Sequence, residues 1–417
     1  MTDVATLSPV VPKPAHVPDA AVYDFDMFRD PQYVADPHRR ILDLVKNAPA
    51  VFWTPRNGGH WMLLSHAANF NASRDIEAFS SEFVSKTQVE AMMAHMPPGT
   101  PHIPMPYPIN VNPPEHTKYR APLQRAFSPK TILALKDSIR TLANELIDRV
   151  IDSGGCEFMA AIAEPLPVQV FLKMLGLPLE RQEEYRELVR QHLSDPEPDP
   201  KNSMMKLWRI TAIMRDTVVA RRDNPQDDII SLLWKTEIDG KPITMDDMEN
   251  YCVVLFIAGL DTVMNGMGHG VRHLAQNPEF QDDLRKNPQN IPVATEELLR
   301  RYTFTVPPRI VGKDMEFEGL QMKKGERAML FLPAADLDPK EFANPEGFDI
   351  KRDKPHIAFN GGVHRCLGSH LARVELQVLY EQMLARLPPF RLDPQRAPTF
   401  HCGHVIGVDS LYLTWKV

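Results

Sequence analysis

A long helical segment in the second half of the chain restricts the fold more than any other feature. We predict it over Asp246–Gln276, the longest helical candidate in the 417 residues, interrupted by four glycines. A glycine inside a helix costs up to ~1 kcal/mol relative to alanine, so packing or chemistry must require the space. The longest apolar run in it, Cys252 to Leu260, is far shorter than the roughly 18–20 residues of a membrane span. We therefore expect a buried central helix and no membrane partner.

Helical periodicity also dominates the rest of the chain. Apolar residues recur at three- and four-residue steps from Ile132 to Val150, which predicts an amphipathic helix ending at Gly154-Gly155. Further helices are predicted at Leu166–Leu175, Leu179–His192, Met204–Arg222, Asp228–Trp234, Pro292–Arg301 and His370–Leu387. Short strands are predicted at Val51–Trp53, Trp61–Leu64, Arg309–Val311, Met315–Phe317, Ala328–Phe331 and Leu411–Val417. Asn57-Gly58-Gly59 is a turn signal that joins the first two as a β-hairpin. The predicted fold class is mainly α with a minor β part.

Proline content marks two irregular segments. Residues 1–20 are proline-rich and are expected to form an irregular N-terminal arm. Met96–Pro114 holds eight prolines in nineteen residues, so it must be a loop, and long loops inside globular chains are more often functional than idle. No repeat or long linker divides the remainder, so residues 21–417 are expected to form one large domain.

Charge and cysteine usage exclude several classes of protein. A net charge of −7, a pI near 6.1 and the absence of basic blocks argue against a nucleic-acid or anionic-membrane partner. The N-terminus lacks the basic start and apolar core of a signal peptide, so we expect a cytoplasmic protein. The four cysteines are far apart and form no CxxC pair. Each is therefore a buried small hydrophobe, a reactive thiol or a single metal ligand.

The stretch Phe359–Gly368 is the first candidate site. Its glycines allow a tight turn, and Cys366 stands just before the predicted helix at His370. Helix N–H dipoles and the neighbouring His364 and Arg365 are expected to favour the thiolate form. From these residues alone, a metal ligand or nucleophile and a glycine-rich turn with a buried cysteine remain equally open.

Two helical motifs also have a plain and a chemical interpretation. Glu297-Leu298-Leu299-Arg300 places its charges on one helix face, where a surface ion pair is the plain interpretation. Ala258-Gly259-Leu260-Asp261-Thr262 lies inside the long helix. Close helix packing at Gly259 and a solvated face at Asp261 are its plain interpretations.

Together these segments resemble the cytochrome P-450 superfamily. Phe359, Gly362, His364, Cys366 and Gly368 match its cysteine-loop pattern F-G-x-G-x-H/R-x-C-x-G, with Asn360 replacing the first glycine. Asparagine is the residue other than glycine that best tolerates positive φ. Glu297 and Arg300 match its E-x-x-R motif, which lies 69 residues before Cys366 (366 − 297), and Arg352 matches the third member of that set. The resemblance implies haem b bound between the long central helix and the Cys-loop helix, with Cys366 as the axial ligand of the haem iron.

The motif in the long helix resembles the superfamily's A/G-G-x-D/E-T pattern. The resemblance implies that Thr262 hydrogen-bonds on the oxygen-binding side of the haem and that Asp261 relays protons from solvent. An acid and an alcohol together favour a monooxygenase that uses O2.

One branch, the bacterial camphor hydroxylase group, is the most similar, through segments such as Asn57-Gly58-Gly59-His60-Trp61 and Gly259-Leu260-Asp261-Thr262-Val263. The resemblance implies that basic side chains hold the haem propionates. The expected cofactor-binding residues are His116, Arg120, Arg309, His364, Phe359, Gly362 and Gly259.

The same resemblance suggests a small hydrophobic substrate, a monoterpenoid or norisoprenoid similar to camphor, ionone or cineole. The tyrosine that anchors a ketone in that group falls on Pro104 here, so Tyr107 or His102 is expected to serve instead. The remaining expected pocket residues are Val254, Ala258, Thr305, Val306 and Val405.

Electrons must come from other proteins, because no dinucleotide- or flavin-binding segment is present. The resemblance implies a two-iron ferredoxin with an NADH-dependent flavin reductase. Our hypothesis is that an acidic ferredoxin meets the chain near Arg120 and Arg125 by electrostatic complementarity. Three alternatives remain: a peroxide-driven or isomerising haem-thiolate enzyme, a haem-binding sensor without turnover, and a helical protein without cofactor. Replacing Thr262 with alanine separates enzyme from sensor, because only an enzyme then wastes reducing power as peroxide.

Overall fold

The protein is described here from a computed structural model, which covers residues 6–193 and 200–417. The helices are α1 (Pro31–Ala35), α2 (Pro37–Asn47), α3 (His66–Arg74), α4 (Lys86–Ala94), α5 (Glu115–Ala126), α6 (Pro129–Leu133), α7 (Lys136–Asp148), α8 (Pro165–Leu175), α9 (Gln182–Leu193), α10 (Pro200–Asp223), α11 (Ile229–Trp234), α12 (Met245–Leu260), α13 (Thr262–Gln276), α14 (Pro278–Lys286), α15 (Ile291–Arg301), α16 (Leu332–Ala335) and α17 (Ser369–Arg386). The strands are β1 (Val51–Thr54), β2 (His60–Leu63), β3 (Phe79–Ser80), β4 (Gly155–Glu157), β5 (Glu237–Ile238), β6 (Lys241–Pro242), β7 (Pro308–Val311), β8 (Met315–Phe317), β9 (Leu320–Met322), β10 (Arg327–Leu330), β11 (Phe390–Leu392), β12 (Thr399–His401), β13 (Gly407–Ser410) and β14 (Tyr412–Trp415). The predicted class, mainly α with a minor β part, is confirmed.

The largest sheet has five strands in the order β1-β2-β10-β7-β3. Its first two strands form the predicted hairpin, in which Asn57, Gly58 and Gly59 all have positive φ. The N-terminal arm has no helix or strand over residues 6–18 and lies against this hairpin, where Val11 N–H donates to Pro55 O. Residues 1–5 of the predicted arm lie outside the described residues.

The long central helix is present, but it breaks once. Helix α12 ends at Leu260, α13 begins at Thr262, and Asp261 between them has φ −111°. Met245–Gln276 is long and apolar enough, by length and composition, to cross a membrane, but 67% of its most apolar window is buried inside the protein. That burial is what a core helix requires. The largest hydrophobic cluster includes buried faces of α7, α8, α12, α13, α15 and α17.

Several parts of the chain differ from the predicted elements, and helices α1–α5, α14 and α16 were not predicted. The helix predicted from Ile132 to Gly155 is divided into α6 and α7 and ends at Asp148. The segment Gly155–Glu157 is instead strand β4, which pairs with β14 near the C-terminus. The hairpin of β12 and β13 was not predicted either. Strand β4 pairs with a strand that is remote in sequence, and the pairing of β12 with β13 is irregular. Local periodicity therefore shows neither feature.

Candidate active site

The cysteine loop is a tight turn seated on the end of α3. Asn360 adopts φ +59° and Gly362 φ +65°, so asparagine does occupy the positive-φ position that the first glycine of the pattern would take. A Cβ on Gly362 would lie 2.2 Å from Ser73 O, which only glycine avoids. Cys366 N–H donates to Phe359 O over 2.9 Å and closes the loop. The backbone thus presents Cys366 directly ahead of α17.

Cys366 is an exposed residue, although protein atoms closely surround its thiol group. Burial raises the pKa of this thiol, whereas the Gly368 N–H, Arg120, Arg373 and Arg365 act to lower it. The N–H group ahead of α17 and Arg365 thus act in the expected direction, towards the thiolate, although desolvation is the larger effect on the pKa. A metal ion at the sulfur would reverse this, since a coordinating thiol is deprotonated outright.

Four basic side chains lie together beside the cysteine loop and are called the basic cluster here: His116, Arg120, Arg309 and His364. The His116 and His364 rings meet edge to face with centroids 4.5 Å apart. Desolvation and Arg120 lower the pKa of His116 to about 4, and desolvation, Arg309, His116 and Arg120 lower that of His364 to about 3. Burial lowers the pKa of Arg309 to about 10. No carboxylate contributes to any of these three shifts, so the cluster repels its own positive charge.

The same cluster is short of hydrogen-bond partners. Both ring nitrogens of His116 and Nε2 of His364 are buried with no partner in the described part of the chain. Arg309 is 5% exposed and its guanidinium donates to the carbonyl of Pro308. Unpaired buried cations and donors are costly unless an anion compensates them. A ligand with two carboxylates for the basic cluster and a metal ion for the Cys366 thiol would satisfy both parts of the site. Haem b, with its two propionates and its iron, is such a ligand.

An acid and an alcohol stand at the break between α12 and α13. Asp261 is 5% exposed, and burial raises the pKa of its carboxyl to about 6. Asn265 Nδ2 donates to Asp261 Oδ2 over 3.1 Å, while Thr262 Oγ1 donates to Ala258 O over 3.2 Å. The two side chains are adjacent, and a carboxyl with this pKa exchanges protons near neutral pH.

Gly259 precedes this break. A Cβ at that position would lie 2.3 Å from the ring of Phe171 on α8. Packing between helices therefore accounts for this glycine, one of its two interpretations, and the expected contact with the cofactor stays a prediction.

The E-x-x-R residues form a buried ionic cluster. Glu297 and Arg300 are joined by two hydrogen bonds of 2.8 Å and are 4% and 1% exposed. Arg352 is the third member of the cluster and lies 3.3 Å from Glu297. Arg300 also donates hydrogen bonds to three backbone carbonyls, those of Asp336, Pro345 and Gly347. The cluster ties α15 to the segment that leads into the cysteine loop.

The expected substrate residues differ in their burial and in their partners. Ala258 is exposed on an otherwise largely buried helix, one turn before Thr262, and Val254 lies a turn earlier. Thr305 and Val405 pair as an isolated bridge, whereas Val306 is fully buried in a separate core cluster. His102 Nε2 contacts Asn250 Oδ1 at 3.1 Å, and Tyr107 packs edge to face on Tyr119.

Several residues at the site were missed in the sequence. Arg373 of α17 forms two hydrogen bonds with Glu296 and lies 4.5 Å over the ring of Phe359, so it holds the first residue of the cysteine loop. Asn265 holds Asp261. An asparagine four residues after an acid on a helix is a usable signal for such a contact, but the pairing of Glu296 with Arg373 depends on tertiary packing.

Comparisons with known proteins show which family the chain is similar to. The family described as Cytochrome P450 matches residues 201–403. The chain is 32% identical over 414 residues to the probable cytochrome P450 127A1 of Sinorhizobium fredii, covering 97% of each. It is 32% identical to a steroid C26-monooxygenase of Mycobacterium tuberculosis over 75% of this chain and 86% of that one. It is 31% identical to cytochrome P450-terp of a Pseudomonas species over 80% of this chain and 82% of that one.

A solved structure is similar over nearly the whole length. The crystal structure of cytochrome P450 CYP101C1 matches with a TM-score of 0.86 and 30% identity, covering 97% of this chain and all of that one. This chain belongs to the cytochrome P450 family, whose members bind haem b through a cysteine thiolate and act as monooxygenases.

Proposed function

We propose that this monooxygenase hydroxylates an unactivated C–H bond of a compact monoterpenoid or norisoprenoid, in the cytoplasm. The observation that carries the proposal is the placement of Val254 and Ala258, small apolar residues at successive turns of α12, of which Ala258 is exposed one turn before Thr262. Small apolar side chains with one or two polar anchors suit a substrate of this size. The likeness to cytochrome P450-terp supports a terpenoid, and the likeness to a steroid C26-monooxygenase makes a steroid the competing class.

When bound, haem b activates O2 at its iron. Cys366 would hold the iron, and His116, Arg120, Arg309 and His364 would bind the propionates through charge-assisted hydrogen bonds. Asp261 holds a proton on its carboxyl below about pH 6 and releases it above. The Thr262 hydroxyl both accepts and donates hydrogen bonds, so it can pass that proton towards the haem side of the helix.

Tyr107 is the better candidate for the polar anchor of the substrate. His102 is already engaged, since its ring contacts Asn250 and its carbonyl accepts from the indole of Trp208 over 2.7 Å. No hydrogen bond to the Tyr107 hydroxyl is seen within the described residues. We therefore expect Tyr107→Phe to weaken the binding of camphor about fivefold, the effect of one lost hydrogen bond of ~1 kcal/mol. Spectral titration measures this, with the phenylalanine variant's affinity for a hydrocarbon of the same skeleton as the control; an unchanged camphor affinity would exclude Tyr107.

The substrate class is tested by two spectra of the purified holoenzyme. The ferrous carbon-monoxide complex should show the red-shifted Soret band of thiolate ligation. Titration with β-ionone, camphor, cineole and cholesterol should then give a low- to high-spin shift with a small terpenoid and none with cholesterol. A shift with cholesterol alone would replace the terpenoid by a steroid, and a carbon-monoxide spectrum without thiolate character would contradict the whole assignment.

We further propose that a two-iron ferredoxin, itself reduced by an NADH-dependent flavin reductase, supplies the electrons. Arg125 is exposed on α5, the helix that also carries Arg120, whose guanidinium donates to the carbonyl of Arg365 in the cysteine loop. This places positive charge beside the thiol, where an acidic partner gains from electrostatic attraction.

Arg125→Glu should therefore slow reduction by an acidic two-iron ferredoxin about tenfold at low salt and leave substrate binding unchanged. Stopped-flow reduction under carbon monoxide measures the rate. Arg391→Glu, an equal charge change on the exposed part of β11, is the matched control. Equal rates for both variants would remove the proposed contact.

A further inference from the structure

The hairpin of β12 and β13 is attached to the helix break at Asp261. The side chain of Asn265 makes the link, because its Nδ2 donates to Asp261 Oδ2 over 3.1 Å and its Oδ1 accepts from Val408 N–H over 3.0 Å. Val408 is fully buried in β13. One buried amide therefore fixes the position of the acid relative to this hairpin.

The hairpin carries an ion pair next to that link. His401 Nδ1 and Asp409 Oδ1 are 2.6 Å apart, and Asp409 directly follows Val408. His401 pairs in register with Gly407, where a Cβ would lie 1.9 Å from Cε1 and 2.2 Å from Nε2 of the imidazole. The imidazole of His401 therefore fills the space that a side chain at position 407 would need, and glycine at that position leaves it free.

Exposure increases from the acid to the ion pair. Asp261 is 5% exposed, whereas the side chains of His401 and Asp409 are 34% and 48% exposed. Solvent therefore reaches the ion pair on the hairpin more readily than it reaches the Asp261 carboxyl.

The charges around Asp261 also couple it to His401. Asp409 and Asp261 raise the pKa of His401 against the effect of burial, and His401 in turn acts to lower that of Asp261. Two other charged groups, Glu164 and Asp409, act to raise the pKa of Asp261. Glu164 lies next to α8 and is itself paired with Arg186 of α9.

We propose that His401, oriented by Asp409, delivers solvent protons to Asp261. This rests on the proposed role of Asp261 as the proton donor at the helix break. In each step the imidazolium of His401 gives its Nε2 proton to the carboxylate of Asp261, directly or through water, and keeps Nδ1–H on Asp409. The neutral imidazole then takes a proton from solvent at Nε2, so one proton enters for each proton that Asp261 passes on.

The first experiment needs no turnover. The pKa of His401 is measured by NMR on the ¹⁵N-histidine-labelled ferrous carbon-monoxide holoenzyme, with the resonance assigned by its loss in His401→Gln. Asp261→Asn should lower the pKa of His401, because the carboxylate that favours the imidazolium is gone. An unchanged pKa in Asp261→Asn would show that the two groups are not coupled and would overturn the relay. Asp409→Asn should lower it as well.

The second experiment measures proton delivery with β-ionone as the substrate probe. His401→Gln should reduce the rate of product formation on the order of ten- to a hundredfold, raise the solvent isotope effect and leave the carbon-monoxide spectrum intact. His95→Gln, at the exposed end of α4, is the control and should change neither quantity. A His401→Gln enzyme with the rate and isotope effect of the parent would overturn the relay while the proposed hydroxylation stands. Product formation that is also unaffected in Asp261→Asn would instead contradict the proposed role of Asp261.

Discussion

At the scale of single residues, two neighbouring glutamates on α15 differ sharply in their surroundings. Glu297 is 4% exposed and compensates both Arg300 and Arg352, whereas the side chain of Glu296 is 40% exposed and pairs with Arg373. Removing one partner of a buried ion cluster leaves an uncompensated charge, so Glu297→Gln should destabilise the protein by about 3–5 kcal/mol. Glu296→Gln is the matched control and should cost less, about 1–2 kcal/mol, because solvent partly screens its bonds to Arg373 and His356. Chemical unfolding of the holoenzyme measures both, and similar costs for the two variants would contradict the argument.

At the scale of secondary-structure elements, the two halves of the central helix use glycine differently. A Cβ at Gly259 would overlap Phe171 of α8, whereas at Gly266 the nearest heavy atom would be Phe304 Cε1 at an ordinary 3.4 Å. Gly259→Ala should therefore destabilise the protein by about 1–3 kcal/mol through overpacking, and Phe171→Leu should recover part of that cost in a double-mutant cycle. Gly266→Ala, the control, should be neutral or stabilising by up to about 1 kcal/mol, because alanine has the higher helix propensity. Additive costs for Gly259→Ala and Phe171→Leu would show that the two positions do not compete for space.

At the scale of the whole molecule, buried titratable groups set how stability depends on pH. Burial lowers the pKa of His269 to about 4, and the ring contacts His38, whose pKa is also lowered. Below about pH 6.5 the unfolded chain therefore binds more protons at these positions, so stability falls as the pH falls towards 4. Glu375 is the opposite case, because burial raises the pKa of its carboxyl from 4.5 to about 8 and neither oxygen has a partner among the described residues. Glu375 loses its proton at a lower pH in the unfolded chain than in the folded protein. Its contribution to the free energy of unfolding therefore falls as the pH rises from about 4.5 to 8. Relative to the parent, Glu375→Gln should gain up to about 4 kcal/mol between pH 5 and pH 8. Unfolding at several pH values checks this, with Glu381→Gln on the same helix as the control; a constant difference between Glu375→Gln and the parent would contradict the prediction.

Features that depend on neighbours in sequence could be predicted from the residues. The hairpin around Asn57, the positive φ at Asn360 and the loop of residues 96–114 follow from the conformations that asparagine, glycine and proline allow. The family could be recognised for the same reason, since its motifs are short patterns at regular spacing around Cys366. The helix boundaries were less accurate, because capping and packing decide where α7 ends.

The tertiary structure alone decided which remote groups meet. Nothing local to Asp261 shows that the hairpin of β12 and β13 lies beside it, or that Glu296 reaches Arg373 on another helix. The net effect on the Cys366 thiol was likewise decided by packing, because desolvation exceeds the local dipoles and charges that the sequence displays. The sequence by itself determined the local backbone geometry and the chemical type of each site residue, because these depend on covalent structure and near neighbours. Only the tertiary structure decided which groups are buried and which distant charges pair, because both depend on contacts between groups that are far apart along the chain.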